Sequence, residues 1–437
     1  MRQMKDSGIA WIGNIPENWS VGKVKNAFVR KKAEAHLDDP VVLSLARSGV
    51  RIRDISTGEG QIAESYYNYN PVEEGDFLLN PMDLYSGANC SISHVNGVIS
   101  PAYINLRAKK GFDAAYYDYY FKTQYWSMVM FAHGKGVSFD NRWTLNANDL
   151  LNFAIPLPSY KEQTEISSYL NKMCACVDEV MEKTQASIEE YKKLKLSVIT
   201  QAVKMGIHGN RKTKISGVNW VDAIPENWHI VKVTRILDYS HPYPIGDGDH
   251  GLVKTEDYKN EGIPYLRVQN IGWGTPLTLD NVVYISEEKN EQIKNSTLFP
   301  NDILFAKTGA TIGKTAIVPP EIPISNTTSH IGKITVSKDY WPKYVFYFLS
   351  SSFGYRQFWE IAIQKTTRPE LAIDEIKQIK ILIPPYEEQI EIASYIDDKC
   401  SEIDSLILKK EQILTDLINY KKSMIYEYIT GKKEVKK

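Results

Sequence analysis

The sequence predicts an α+β protein with two similar mixed α/β domains and two long helices that pair with each other. Three observations lead to this fold class: an internal repeat, a long helical pattern at the end of each copy, and short strand-like runs in the middle of each copy. A chain of 437 residues is also too long for one ordinary hydrophobic core, which favours two or three domains.

The internal repeat consists of two pairs of matching segments. Residues 7–28 read SGIAWIGNIPENWSVGKVKNAF and residues 216–237 read SGVNWVDAIPENWHIVKVTRIL, with ten of 22 positions identical and an offset of 209 residues. The second pair, at an offset of 226, matches IPLPSYKEQTEISSYLNKMC, from Ile155, with ILIPPYEEQIEIASYIDDKC, from Ile381. Copies of this size indicate duplicated domains and not a solenoid. Because the middles diverge far more than these segments, we expect a common scaffold that carries two different surfaces.

A long helical pattern follows each Pro-x-x-Glu-Gln segment. Its apolar positions in the first copy follow steps of four and three, the heptad spacing of a coiled coil. They are Ile166, Leu170, Met173, Val177, Val180, Thr184, Ser187, Tyr191, Leu194, Val198 and Ala202, and the positions 226 residues further on repeat the pattern from Ile392 to Tyr428. Each helix would be roughly 40 residues, or about 60 Å, long. Neither helix can bury its apolar stripe alone, so we expect the two to pair.

The middles of the two copies carry short runs of strand-forming residues separated by glycine, asparagine and proline. Examples are Val41–Leu45, Tyr265–Val268, Asp302–Phe305 and Thr315–Val318. Each middle is therefore predicted to be an α+β domain with a small, irregular sheet. The predicted boundaries are 1–157 for the first domain, 158–206 for the first helix, 207–383 for the second domain and 384–437 for the second helix.

Composition places the chain among globular proteins, with 43% hydrophobic and 24% charged residues. No apolar run is long enough for a membrane span and the N-terminus has no secretion signal, so a cytoplasmic location is expected. The net charge of −1 gives no basic balance, although residues 191–214 hold seven basic and no acidic residues. The four cysteines form no disulfide framework, and Cys174 and Cys176 are expected to be small buried hydrophobes.

Several motifs resemble parts of catalytic sites but depart from them. The segment 308–315 is like a phosphate-binding loop, but its first glycine falls one residue late. Pro384-Pro385-Tyr386 lacks the polar residue that amino-methyltransferases need before the prolines, because Ile383 stands there. The two carboxylates of residues 246–250 are expected to belong to a turn, and residues 397–399 to the helical seam. The sequence therefore predicts no catalytic or metal site.

The repeated motifs together resemble the specificity (S) subunit of type I restriction–modification enzymes over nearly the full length. The resemblance rests on both Ile-Pro-Glu-Asn-Trp segments and both Pro-x-x-Glu-Gln helix openings. It rests further on Gly262-Ile-Pro-Tyr-Leu-Arg-Val-Gln-Asn-Ile, on Asn301-Asp-Ile-Leu-Phe-Ala-Lys-Thr-Gly-Ala-Thr-Ile-Gly-Lys, on Gly75-Asp-Phe-Leu-Leu-Asn-Pro-Met-Asp-Leu and on Val98-Ile-Ser-Pro-Ala-Tyr. The first copy lacks the Lys-Thr-Gly-x-x-Ile-Gly-Lys stretch of the second, so loop functions transfer poorly between the copies.

This resemblance implies a non-catalytic subunit with two target-recognition domains, each of which recognises one half of a split DNA site. It also implies that the helices pair as an antiparallel coiled coil, with pseudo-twofold symmetry, and separate the domains. The implied partners are double-stranded DNA, two modification (methyltransferase) subunits and, for cleavage, restriction (motor-nuclease) subunits. S-adenosylmethionine, ATP and Mg²⁺ would bind to those partner subunits, and none of them to this chain. Divergent domains imply an asymmetric site, with half-sites about 34–36 Å apart.

Candidate DNA-contacting residues follow from the chemistry of base edges, since Arg and Lys suit guanine and Asn and Gln suit adenine. In the first domain they are Arg47, Arg51, Arg53, Lys135 and Arg142. In the second domain they are Arg267, Gln269, Asn270, Lys307, Lys314, Lys365 and Arg368. The tyrosines of residues 116–120 are expected in the core and not stacked on bases. The alternatives are a DNA-binding regulator or scaffold without a methyltransferase partner and, less favoured because no site was found, a self-sufficient enzyme.

Overall fold

Two compact units make up the chain. A computed structural model describes residues 2–56, 63–82, 84, 90–136, 143–275, 277–364 and 369–435. The first unit comprises Met1–Gln185 and Gln412–Lys437, and the second comprises Ala186–Glu411. Each unit therefore contains one divergent middle and part of each long helix.

The first unit is a mixed α/β structure. Its strands are β1 (Met4–Asp6), β2 (Asn14–Pro16), β3 (Ser20–Lys23), β4 (Phe28–Lys31), β5 (Leu43–Ala46), β6 (Gly49–Ile52), β7 (Asn70–Val72), β8 (Phe77–Leu79), β9 (Cys90–Ile92), β10 (Gly97–Ile99), β11 (Ile104–Ala108) and β12 (Ala154–Leu157). Its helices are α1 (Val24–Ala27), α2 (Ala114–Trp126), α3 (Val129–Ala132), α4 (Ala147–Asn152) and the start of α5 (Tyr160–Met205). Asp113 begins α2 by accepting hydrogen bonds from the Ala115 and Tyr116 amides.

The second unit has the same mixed character. Its strands are β13 (Thr213–Val218), β14 (Val221–Pro225), β15 (His229–Lys232), β16 (Ile245–Asp247), β17 (Ile263–Leu266), β18 (Val283–Ile285), β19 (Ile303–Ala306), β20 (Thr315–Ile317), β21 (Asn326–Thr327), β22 (Ile331–Ile334) and β23 (Lys380–Ile383). Its helices are α6 (Val233–Ile236), α7 (Glu287–Gln292), α8 (Pro342–Ser350), α9 (Ser352–Ala362), α10 (Ile373–Ile376) and the start of α11 (Tyr386–Ile429). The prediction of mixed α/β domains is confirmed.

Corresponding sheets in the two units have the same strand order. The first unit has a four-stranded sheet in the order β4-β11-β8-β9, and the second has one in the order β16-β22-β19-β20. The pair β3–β12 aligns Ser20 with Leu157, and the pair β15–β23 aligns His229 with Ile383, which are the repeat-related positions. The remaining strands differ: β5–β6 and β7–β10 occur in the first unit, and β18-β17-β21 in the second. A shared scaffold thus supports two different sets of loops and strands.

Each unit has its own hydrophobic core, which contains the tryptophan of its Ile-Pro-Glu-Asn-Trp segment. Trp19 is 1% exposed and packs with the aromatic face of α2, and Trp228 is fully buried beside Val233 and Ile236. Tyr116, Tyr117 and Tyr120 are fully buried in the first core, as the sequence predicts for that cluster. Cys174 is buried as predicted, whereas the same prediction for Cys176 is wrong because its side chain lies on the exposed face of α5.

The two long helices run antiparallel within each unit. In the first unit Tyr428 Oη lies 3.2 Å from Tyr169 Oη, and Lys421 Nζ lies 2.6 Å from Asp178 Oδ1. In the second unit Lys195 Nζ lies 2.7 Å from Asp404 Oδ2, and His208 Nε2 lies 3.1 Å from Glu391 Oε2. In both units, partners on α11 move toward its start as partners on α5 move toward its end.

The buried positions of the long helices depart from the predicted heptad seam. In α5 the positions Ile166, Val177, Ile188 and Ile199 are buried at intervals of eleven residues, whereas the predicted seam positions Val180 and Leu194 are each 48% exposed. In α11 the buried residues Ile392, Ile403 and Ile425 follow the same spacing. Eleven residues in three turns give 3.67 residues per turn, closer to the 3.6 of an α-helix than the heptad value of 3.5. The heptad prediction is therefore wrong beyond the first two turns of contact.

Within the described ranges, no helix has both the length and the apolar character needed to cross a membrane.

Candidate nucleic-acid interface

The first residues of α5 bind the N-terminal segment of the first unit. Glu162 accepts a hydrogen bond of 2.8 Å from Trp19 Nε1 through one oxygen, and its other oxygen forms an ion pair with Arg2. Arg2 also lies over the Trp19 ring, with Cζ 5.4 Å from the ring centre. One carboxylate thus ties the Ile-Pro-Glu-Asn-Trp segment and the start of the long helix together.

The second unit repeats these contacts at the equivalent positions. Glu388 accepts a hydrogen bond of 3.2 Å from Trp228 Nε1 and forms an ion pair with Arg211. The offsets are those of the repeat, 209 residues for the tryptophan and arginine and 226 for the glutamate. We call each of these three-residue groups a joint.

The glutamine that follows each joint glutamate has a second repeated function. Gln163 accepts from the Asp113 amide at 2.8 Å and donates to Pro158 O at 2.9 Å. Gln389 accepts from the Trp341 amide at 2.9 Å and donates to Pro384 O at 3.0 Å. Both glutamines are 1% exposed, so their amides satisfy backbone groups in the interior. The repeated motifs are therefore scaffold, and any sequence-specific surface must lie in the divergent middles.

Three candidates of the second unit follow β17. Arg267 is half-buried: its Nη2 donates to Asn281 O at 3.2 Å, and its Cζ lies 5.7 Å from the centre of the Tyr258 ring. Gln269 is exposed. Asn270 is 2% exposed, and its amide group accepts from the Arg267 N–H and donates to Asp280 O. Asn270 thus shapes the loop that presents its neighbours, and these internal bonds argue against a base contact by its own side chain.

The next two candidates border β19 and β20. Lys307 is 6% exposed and its ammonium group forms an ion pair with Asp247. Glu370 Oε1 lies 3.7 Å from the same nitrogen. Lys314 is half-buried at the end of a short turn. Lys365 and Arg368 lie outside the described residues, so their prediction stays untested.

Candidates of the first unit lie on a hairpin and on a separate loop. Arg47 is exposed at the turn between β5 and β6, and Arg51 donates from Nε to Ser44 Oγ at 3.3 Å across that hairpin. The Arg53 amide donates to Val42 O at 2.8 Å, which holds the chain beside the same hairpin. Lys135 Nζ lies 3.1 Å from Asp149 in a largely exposed pair. Arg142 lies outside the described residues, and DNA contact by the other four stays a prediction.

Sequence analysis missed a buried carboxylate at the start of the corresponding strands β8 and β19. Asp76 is fully buried and bonds to Lys31 Nζ at 2.9 Å and Arg107 Nε at 2.5 Å. Asp302 is fully buried and lies 3.2 Å from Lys333 Nζ. Each aspartate also accepts the amide three residues earlier, so both turns have the same form. The signal was present as the aligned Gly75-Asp76 and Asn301-Asp302.

The motifs that resembled catalytic sites have structural roles. Gly309–Thr311 is a short 3₁₀ turn that leads into the strand β20, whereas a phosphate-binding loop leads into a helix. Asp249 accepts from the Gly251 and Val253 amides, and Asp247 pairs with Lys307. Asp397 pairs with Lys343 at 2.6 Å. In the part of the chain that the structure describes, no group of three His, Cys, Asp or Glu side chains could hold a metal ion.

Comparisons with known proteins agree with this division into scaffold and variable parts. Residues 225–415 match the family model described as a type I restriction modification DNA specificity domain. The chain is 25% identical to the EcoBI type I restriction enzyme specificity subunit of Escherichia coli, covering 98% of this chain and 89% of that protein. It is 23% identical to the MjaVIII specificity subunit of Methanocaldococcus jannaschii, covering 97% and 94%.

Solved structures give the same fold. A chain from a type I R-M system solved for its complex assembly and conformational transition superposes with a TM-score of 0.69 at 14% identity, covering 95% of this chain and 98% of that one. The HsdS subunit of Thermoanaerobacter tengcongensis gives a TM-score of 0.50 at 14% identity, with the same coverage. The resemblance stated from the sequence is thereby confirmed, and the chain belongs with the specificity subunits of type I restriction–modification systems.

Proposed function

We propose that this chain is the DNA sequence-specificity subunit of a type I restriction–modification system and has no catalytic function of its own. Each unit recognises one half of an asymmetric, two-part DNA site through its divergent middle. The helices α5 and α11 act as an antiparallel coiled-coil spacer between two target-recognition domains related by pseudo-twofold symmetry. Methyltransferase subunits dock to the chain, and the assembled complex modifies the DNA.

The observation that carries this proposal is the repeated joint beside unlike loops. Glu162 and Glu388 make the same bonds at repeat-related positions, which makes the two scaffolds equivalent. The strands β5–β6 in one unit and β18-β17-β21 in the other have no such equivalence. Equivalent scaffolds with different surfaces suit two half-sites of different sequence. A symmetric site would need two similar surfaces.

Docking of partner subunits is supported by apolar side chains that the helix pair leaves uncovered. Along the first unit's share of the helices, Val180 and Ile413 are 48% and 46% exposed. Along the second unit's share, Leu194 and Leu408 are 48% and 65% exposed. Rows of exposed apolar residues on long helices are typical of protein interfaces. We assign these rows to two modification subunits, with restriction subunits joining the complex for cleavage.

The cofactors of such a system belong to the partners in this proposal. S-adenosylmethionine would bind the modification subunits, and ATP and Mg²⁺ the restriction subunits. The turn Gly309–Thr311 and the Pro384-Pro385-Tyr386 segment lack the helix and the polar residue that nucleotide binding and amino-group methylation need in such motifs. The expected contribution of this chain is recognition alone.

The experiment that tests the proposal compares the purified chain with and without a cognate modification subunit. Methyl transfer to adenine in DNA and S-adenosylmethionine binding are measured for each component and for the mixture. We expect transfer by the mixture at one asymmetric two-part sequence, and no cofactor binding by the chain alone. Specific DNA binding by the chain that no modification subunit joins would instead favour a stand-alone regulator or scaffold. Cofactor binding by the lone chain would overturn the proposal.

A further inference from the structure

One end of the second unit's four-stranded sheet is organised around a buried lysine. Lys307 follows β19 directly, at the end where β16 finishes and β22 begins. Its backbone N–H donates to His330 O at 3.0 Å, and its carbonyl accepts from the Leu371 amide at 2.8 Å. The Lys307 backbone therefore joins three segments of the chain that are far apart in sequence.

The side chain of Lys307 adds a fourth segment. It is 7% exposed, and its ammonium group forms an ion pair with Asp247, the last residue of β16. Glu370 Oε1 lies 3.7 Å from the ammonium group from another direction. A buried ammonium group is costly unless carboxylates or hydrogen bonds compensate it. Asp247 and Glu370 supply that compensation, so the segments that carry them are held in place by the charge of Lys307.

The segments held by Lys307 present polar side chains at this end of the sheet. His250 Nε2 lies 3.0 Å from Asp247, and its ring is 65% exposed. His330 Nδ1 lies 3.2 Å from Thr308 Oγ1. The end of β17 joins the same region, because the Thr328 amide donates to Leu266 O at 3.0 Å, and Arg267 follows directly. Donors and acceptors of this kind suit the hydrogen-bonding edges of bases.

The opposite end of the same sheet carries a second buried lysine in a different context. Lys333 pairs with Asp302 at 3.2 Å and donates to Thr297 O at 2.8 Å. The first unit has the corresponding buried carboxylate, Asp76, paired with two cations. Five residues after Asp76 the first unit has Pro81, whereas five residues after Asp302 the second unit has Lys307. The Asp302 end thus belongs to the shared scaffold, and the Lys307 end is particular to the second unit.

We propose that Lys307 is a positioning residue that sets base specificity at the half-site recognised by the second unit. With Asp247 and Glu370 it fixes the segments that present His250, His330 and Arg267, and it acts through them. This inference rests on the proposed DNA-recognition function and identifies the part of the second unit that carries it. Lys333 provides a matched control, since it is an equally buried lysine–aspartate pair on the same sheet.

The test uses the full chain assembled with its modification subunits and DNA duplexes in which each half-site is randomised in turn. For Lys307→Met we expect a loss of roughly ten-fold or more in base discrimination at one half-site, with the other half-site unchanged. For Lys333→Met we expect a lower melting temperature with both base preferences retained. Glu370→Gln keeps the Asp247 pair and should weaken discrimination at the same bases, which covers the case in which Lys307→Met does not fold.

Three outcomes would overturn the inference. A folded Lys307→Met protein with unaltered base preferences would do so, and so would equal losses at both half-sites. Altered preferences in Lys333→Met would also do so, because they would reflect general destabilisation of the sheet. The wild-type complex distinguishes these results from failure of the proposed function itself, because a wild type without preference for any two-part site would contradict that function directly.

Discussion

Lys195 and Asp404 form an ion pair of 2.7 Å between α5 and α11 in the second unit, and the repeat-related residues form the same pair in the first unit. Asp178 lies 226 residues before Asp404, and Lys421 lies 226 residues after Lys195. Lys421 Nζ lies 2.6 Å from Asp178 Oδ1. The duplication thus extends to the helices, where each copy supplies the aspartate of one pair and the lysine of the other.

The first prediction concerns the strength of this pair. The variants Lys195→Met and Asp404→Asn, with their double mutant, should give a coupling energy of about 1 kcal/mol, because the pair is only partly exposed to solvent. The matched cycle with Lys421→Met and Asp178→Asn should give a smaller value, since those side chains are more exposed. Urea unfolding measures both cycles. Additive single mutants in the first cycle would mean that the pair contributes nothing.

The second prediction concerns the joints. Glu388→Ala should destabilise the protein by about 3 kcal/mol, because it leaves the largely buried Arg211 guanidinium without its carboxylate partner. Glu388→Gln should cost less, since the Trp228 indole keeps an acceptor. Glu162→Ala is the matched variant and should behave similarly. Thermal unfolding followed by tryptophan fluorescence measures all three, and wild-type stability in either alanine variant would contradict the assigned role of that joint.

The third prediction concerns pH. Burial of Asp76 raises its pKa, but hydrogen bonds from the Glu73 amide, Lys31, Arg107 and Asn105 together outweigh burial and hold the pKa below its ordinary value. A carboxylate with a lowered folded-state pKa stabilises the fold above the unfolded pKa of about 3.9, and this stabilisation is lost as pH falls through the folded pKa.

Wild-type stability should therefore decrease below about pH 5, and Asp76→Asn should flatten that decrease while lowering stability at pH 7 by about 3 kcal/mol. Melting temperatures between pH 3 and pH 7, in steps of about half a unit, test the difference between the two proteins. Parallel curves for wild type and Asp76→Asn would mean that Asp76 is not the group responsible.

Much of the fold follows from local sequence patterns. The runs that contain Leu43, Tyr265, Leu304 and Ala316 are strands, because alternation and flanking turn residues are local signals. The long helices begin at Tyr160 and Tyr386, directly after the prolines that cannot continue a preceding strand.

Other features depend on contacts between distant residues and could not be predicted. Spacings of seven and eleven agree over two turns and diverge only further along, so the predicted seam fits Ile166 and Val177 but not Leu194. The partners of Lys307 are a further case. Its nearest carboxylate is 60 residues away in sequence, and a lysine beside a Thr-Gly turn is typical of an exposed position.

The fourth prediction concerns Arg267. Its guanidinium is held by Asn281 O and the Tyr258 ring, which leaves part of its hydrogen-bonding fork for a base. Arg267→Ala should relax recognition at one half-site by about 1–3 kcal/mol and leave the other half-site unchanged. Arg267→Lys keeps the charge and loses the fork, so it should relax recognition similarly. Competition binding with single-base substitutions measures the effect, and uniform weakening on every sequence would identify a phosphate contact instead.

The last prediction concerns the proposed spacer. Because buried positions recur every eleven residues, an eleven-residue insertion preserves the apolar phase of a helix. Repeating residues 175–185 after Gln185 and residues 401–411 after Glu411 would lengthen both helices by about 16 Å. At about 3.4 Å per base pair, the gap between half-sites should increase by up to about five base pairs, with both half-site sequences unchanged.

A two-residue insertion at the same two points provides the control. It turns the following part of each helix by about 200° and moves the buried stripe to the opposite face, so this variant should unfold at a lower temperature and lose activity. Sequencing of methylated sites in cells that carry each variant measures the gap directly. An unchanged gap in a folded, active eleven-residue variant would mean that the helices do not determine the distance between half-sites, since the bases recognised and the docking rows on each unit are the same in that variant.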